Sequence, residues 1–241
     1  NNLDVKITAT GDKTTGVFID GGSTIKGTVT TTGSTTSGAI GVYGSGGAVN
    51  IDTELTLNIG TVSTTNKGTG MYLTDGAYAT GGLITVNNSS DDNNIGVYYS
   101  KGKTEETVTN ESEIKLTGKN GVGIYAADEI ILENSKNITS ATSDNIASYV
   151  GGDSTLTSNG TIRMSGANNI GIYAGKGTGR NAGTIDLTGA SGTSVGMVAQ
   201  AVTGETATIE NATGKEIKVG ANLGMYIAGA GTSKGINKGT I

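Results

Sequence analysis

Short runs of alternating apolar and polar residues recur along this chain, each built on one phrase: an apolar residue, Gly, then Val, Ile or Met, then usually Tyr. The copies are Gly16-Val17-Phe18, Gly41-Val42-Tyr43, Gly70-Met71-Tyr72, Gly96-Val97-Tyr98, Gly123-Ile124-Tyr125, Ala147-Ser148-Tyr149, Gly171-Ile172-Tyr173, Gly196-Met197-Val198 and Gly224-Met225-Tyr226. Their first residues lie 25, 29, 26, 27, 24, 24, 25 and 28 positions apart, a mean of 26. A fixed period of that size marks a solenoid in which each unit buries its apolar face only against its neighbours.

Side chains two apart share one face of a strand. The phrase therefore predicts a strand with Ile40, Ile95, Val122, Ile146, Ile170, Val195 and Leu223 facing inward, together with the residue after each Gly. Ile19, Leu73, Val150 and Ile227 continue that face, and the Gly and the Tyr are expected to face outward. A second strand follows in most units, as in Leu55-Thr56-Leu57, Ile84-Thr85-Val86, Ile114-Lys115-Leu116, Ile162-Arg163-Met164, Ile185-Asp186-Leu187 and Ile217-Lys218-Val219. Its alternate Thr, Lys, Arg and Asp residues predict a solvated outer face. A weaker strand between the two is expected in several units, at Ala48–Ile51, Glu129–Leu132 and Ala207–Ile209. Two to three short strands per coil predict an all-β chain: a parallel β-helix of about nine coils, with residues 1–241 forming one segment. Successive coils would stack ~4.8 Å apart, giving a rod on the order of 40 Å long.

Asn marks the turn before the second strand at Asn159, Asn181 and Asn237, and more loosely at Asn134 and Asn211. Stacked Asn side chains can bond one another along such a rod. The absence of Pro agrees with a fold in which every backbone N–H is wanted by the next coil.

Composition narrows the chemistry. With no Cys there is no disulfide framework or thiolate metal site, and with no His the usual general base and commonest transition-metal ligand are missing. A formal charge of −5 argues against nucleic acid as a partner. No apolar run approaches the ~20 residues of a membrane span. The chain begins and ends within the repeat, so it is expected to be part of a longer solenoid.

The most distinctive candidate surface is aromatic. Tyr43, Tyr72, Tyr98, Tyr125, Tyr149, Tyr173 and Tyr226, preceded by Phe18 and interrupted at Val198, should stack along one face. Such a stripe offers flat apolar area with polar tips to a protein or a sugar ring, or simply stabilises the sheet. Three longer connections are expected to be loops: Val86 to Asn94, Ser100 to Glu113 and Thr203 to Glu216. Asp91 and Asp92 in the first could hold calcium with nearby carbonyls, although adjacent acidic residues in an Asn- and Ser-rich loop are usually just solvated. Gly151-Gly152-Asp153 carries a fragment of a calcium-binding nonapeptide but does not repeat. Arg163 and Asp186 share an outer column one coil apart and should pair. No catalytic residue, metal site or cofactor is expected, and the chain reads as a non-enzyme.

The phrases Asn168-Asn169-Ile170-Gly171-Ile172-Tyr173 and Gly183-Thr184-Ile185-Asp186-Leu187-Thr188-Gly189 resemble the repeat style of passenger segments of large type V autotransporters, most closely the fusobacterial outer-membrane adhesins. The resemblance covers essentially the whole chain as a style, without a diagnostic residue. It implies a right-handed β-helical passenger displayed on a Gram-negative cell, at the outer membrane or secreted. It also implies a tether through a C-terminal membrane β-barrel absent from this sequence, and adhesion to a host or bacterial surface protein or glycan. A polysaccharide lyase or hydrolase and a passive spacer are the alternatives.

Overall fold

A computed structural model describes residues 2–10, 14–32, 39–60, 68–88, 94–101 and 107–241. The described chain is all β, and every strand pairing in it is parallel. The nine copies of the phrase form one nine-stranded sheet, from Thr15–Asp20 through Ile170–Ala174 to Leu223–Gly229. Nine consecutive strands bound eight complete turns, so the molecule is a parallel β-solenoid of the expected period. Register holds each Tyr opposite the next: Tyr43 faces Tyr72, Tyr98 faces Tyr125, and Tyr149 faces Tyr173.

The rest of each coil changes character along the rod. In the first coils one long strand covers both remaining faces: Ser23–Thr32, Ala48–Ile59, Tyr78–Asn88 and Thr107–Leu116. These strands bend where the pairing register shifts, between Ile25 and Gly27, Ile51 and Glu54, and Thr80 and Leu83. A bulge leaves one strand with extra residues, turns it and resets its alternation. Beyond Thr107–Leu116 the sheet forks. Its first half continues through Ile131–Asn134, Thr155–Ser158, Gly177–Asn181, Thr206–Asn211 and Thr232–Asn237, and its second through Ile138–Ser140, Thr161–Met164, Thr184–Asp186 and Glu216–Lys218. The intermediate strand is thus regular, not occasional, and Ile138–Ser140 supplies a second-face strand that the apolar pattern alone did not mark.

Two of the expected loops are largely strand. Thr206–Asn211, around the strand expected at Ala207–Ile209, lies within Thr203 to Glu216, and Thr107–Leu116 takes up the last seven residues of Ser100 to Glu113 and runs on to Leu116. Val108 and Ile209 hold inward positions in these strands, but Asn110, Ser112 and Ala207 at the alternate inward positions weaken the hydrophobic period.

Val42, Met71, Val97, Ile124, Ile172 and Met197 are fully buried in the nine-stranded sheet and pack with Leu57, Val86, Leu116, Ile138, Ile162, Ile185 and Ile217 of the opposite face. The expected outward orientation of the phrase glycines is incorrect. A Cβ on Gly171 would stand 2.5 Å from the Gly196 carbonyl oxygen and 3.1 Å from Ile185, and Gly41, Gly70 and Gly96 are enclosed in the same way. These glycines sit at a corner where the backbone of one coil lies directly under the next. The residue before each Gly is correspondingly pushed toward solvent. Ile95, Val122 and Val195 remain buried, but Ile40, Ile146 and Ile170 are half-buried, and Leu223 and Ile227 in the last strand of this sheet are 46% and 48% exposed.

Candidate functional site

The phrase tyrosines assemble as the alternation predicts, because parallel in-register strands place identical positions one coil apart. From Phe18 through Tyr173, seven rings form an unbroken stack with centroid separations of 5.4, 5.4, 5.0, 5.0, 4.6 and 4.9 Å. Neighbouring planes differ by 9 to 15°, the offset arrangement that aromatic pairs prefer. Val198, itself buried, ends the stack, and the phenol of Tyr173 donates instead to Gln200 Oε1 at 3.1 Å. Tyr226 stands one coil beyond, 49% exposed and outside the stack.

The stack is half-buried. Gly151 and Gly175 leave room for the hydroxyls of Tyr125 and Tyr149: an added Cβ would come within 2.8 and 2.5 Å of those oxygens. Desolvation raises the pKa of Tyr125, helped by the Asp128 carboxylate. At Tyr149 desolvation, reinforced by its two Tyr neighbours, pushes the pKa up to about 12. Burial and Asp128 act likewise on Tyr98. Tyr98, Tyr125 and Tyr149 are therefore neutral at any physiological pH, and the surface they offer is uncharged, flat and amphipathic.

Inside the solenoid run two polar ladders. In one, Asn110 Nδ2 donates to Asn134 Oδ1 at 2.8 Å, Asn181 Nδ2 to Asn211 Oδ1 at 2.9 Å, and Asn211 Nδ2 to Asn237 Oδ1 at 2.9 Å. The expected stacking of Asn134, Asn181, Asn211 and Asn237 is present. Asn159, however, is exposed: Ser158 occupies the column, four residues before Ile162 as Asn181 is before Ile185, and Asn159 falls one position past it in the turn. The ladder begins at Tyr99, which is fully buried and whose hydroxyl donates to Asn110 Oδ1 at 2.9 Å. The alternation of Tyr98 outward and Tyr99 inward was readable; its role as a cap was not. In the second ladder the backbone N–H of one coil donates to a side-chain oxygen of the next. Gly121 N–H bonds Asn145 Oδ1 at 2.7 Å, Asn145 N–H bonds Asn169 Oδ1 at 2.8 Å, and Asn169 N–H bonds Ser194 Oγ at 3.0 Å.

Comparison with known proteins finds no matching family, no matching curated protein and no matching solved structure.

The remaining candidates resolve as follows. Arg163 Nε and Asp186 Oδ2 pair at 3.2 Å across adjacent coils, and Thr188 also bonds that carboxylate, whose pKa is lowered by Thr188 first and Arg163 second. Asp153 of the Gly-Gly-Asp segment pairs with Lys176 at 3.0 Å, and Lys176 also reaches Glu205 at 2.8 Å. Asp91 and Asp92, with Lys103, Glu105 and Glu106 of the charged connection, lie outside the described residues. Among the described residues no group of three or more carboxylates could hold a metal ion. Sequence reasoning also missed an open groove at the corner between the two strand series that diverge beyond Thr107–Leu116. Its lining mixes turn residues with strand residues that are almost all polar or Gly, so it carries little hydrophobic signal.

Proposed function

We propose that this chain is a segment of a surface-displayed adhesin, a rigid β-solenoid rod of autotransporter-passenger type that presents the tyrosine stack to a host or bacterial surface partner. The unbroken run of seven rings carries this reading. An extended aromatic strip repeats the same weak contact at every coil, and repetition over coils and molecules gives avidity. Stacking over corner glycines holds the rings rigid before any partner arrives, which lowers the ordering cost of binding. Cell-surface display and tethering through a membrane barrel belong to the same proposal and rest on the repeat style alone. Neither a catalytic group nor a cofactor enters it.

A spacer is the second reading, favoured by one observation: the rings already satisfy one another face to face and are half-buried. The two readings separate in a binding assay of the purified chain on intact bacterial and epithelial cells. The comparison variant changes Tyr98, Tyr125 and Tyr173 to Ser and is checked for unaltered β-structure. The adhesin reading expects binding by the parent chain and at least a tenfold loss in the variant. Equal binding by both would remove the stack from recognition, and no binding by either would leave the spacer.

A further inference from the structure

None of the stacked tyrosines lines the open groove. One cavity of about 720 Å³ is lined by Thr53, Gly81 and Gly82, Glu113 and Lys136, and a second of about 480 Å³ by Asn137, Asn159, Thr161, Thr184 and Lys215. They adjoin at the turn Ser135–Lys136–Asn137, where Ser135 and Lys136 line the first and Asn137 the second. From Thr53 to Lys215 the groove crosses six coil intervals, on the order of 29 Å along the rod axis. We propose that it binds an extended, uncharged glycan lying parallel to that axis.

Three observations select this ligand class. First, the groove runs across the strands, and the backbone N–H and C=O groups of those strands are consumed by the adjacent coils. No strand edge faces it, so a peptide could not join by β-augmentation. Second, the walls carry hydroxyl, amide and charged groups, with Leu83 the one large apolar side chain lining the two cavities among the described residues. Asn137 Oδ1 accepts from Thr161 N–H at 2.9 Å, and its Nδ2 makes no hydrogen bond among the described residues. Glu113, Lys136 and Lys215 likewise make no ion pair among the described residues. Sugar hydroxyls both donate and accept, and so can answer carboxylate, ammonium and amide walls alike. Third, charge is balanced: Glu111, Glu113 and Glu216 oppose Lys136 and Lys215, and Glu216 is paired with Lys218 at 3.4 Å. Neither a polyanion nor a polycation gains from such a groove.

The inference does not depend on the tyrosine stack, and its test keeps the two apart. The full chain is titrated calorimetrically with cellohexaose, mannohexaose and N-acetylated chitohexaose, and with a heparin hexasaccharide as the polyanion. Thr161→Trp and Thr184→Trp place bulk on the groove wall, and the triple Tyr→Ser variant serves as the control. All variants are checked for parent-like circular dichroism, and the more native of the two Trp variants is used. Expected is saturable binding of at least one neutral hexasaccharide, weakened about tenfold or more by the Trp substitution and changed less than about twofold in the Tyr variant. No neutral hexasaccharide bound, binding of heparin alone, or binding lost in the Tyr variant but retained in the Trp variant would each overturn it.

Discussion

The two ends of the rod solve the same packing problem with different chemistry. In the first coils a single strand of 10 to 12 residues rounds the corner through a register shift, and the inward position beside the corner is apolar: Val49, then Ala79. From Asn110 onward that position becomes a column of Asn134, Ser158, Asn181, Asn211 and Asn237, and the long strand divides into two short ones joined by a tight turn. A bulge keeps the backbone extended and needs only an apolar filler. A tight turn frees backbone carbonyls, and buried polar groups must be paired. The amides do this: Asn134 Nδ2 reaches Lys136 O at 2.7 Å while its Oδ1 serves the preceding Asn. Tyr99 is the splice between the two solutions, since an amide ladder needs a donor at its first oxygen and the apolar coils supply none.

The most damaging test of the C-terminal solution is a buried charge. Ile172→Asp, at a fully buried position, should cost at least about 4 kcal/mol. Because each coil touches only its neighbours, the loss should spread outward from that coil. Proteolysis mapped along the chain should find new cleavage near residue 172, and uniform resistance would refute the inward assignment. Exchanging the two corner chemistries should hurt both ends. Val49→Asn buries an amide without a ladder, and Asn181→Val leaves Asn211 Oδ1 without its donor, each at about 2–3 kcal/mol in denaturant unfolding. If Val49→Asn proved neutral, the two columns would be interchangeable and the comparison would fail.

Smaller changes sharpen the boundary. Tyr99→Phe removes only the cap hydroxyl, so a loss of about 1–2 kcal/mol is expected, with faster amide exchange around Asn110 and Asn134. Protection unchanged in that region would show that the ladder needs no cap. Ser148 should respond in the opposite direction. Its hydroxyl is fully buried without a hydrogen-bond partner among the described residues, between Ile124 and Ile172, so Ser148→Val should raise stability by about 1 kcal/mol. A destabilised variant would reveal a role for that hydroxyl.

The gentlest probe is pH. The folded pKa of Tyr149 lies above the unfolded value of 10.0. Its contribution is therefore complete below about pH 10 and lost as pH rises through about 12. Tyrosinate absorbance should show part of the tyrosine titrating well above pH 10, and a single transition at the ordinary tyrosine value would mean that the stack is not desolvated.

Sequence alone determined the solenoid, its period, the aromatic stack and its interruption at Val198. These follow from residues repeating at one position per coil, and in-register parallel pairing turns a sequence period directly into a column in space. The stacking of Asn181, Asn211 and Asn237 was legible for the same reason, whereas Asn159 misled because it lies one position past the column residue Ser158 in a turn of the same length. What only the tertiary structure decided lies at the corners. The inward glycines, the fork beyond Leu116, the Tyr99 cap and the groove all depend on how far one coil's backbone stands from the next. That distance is set by packing across the core, among residues far apart in the chain, and no local alternation encodes it.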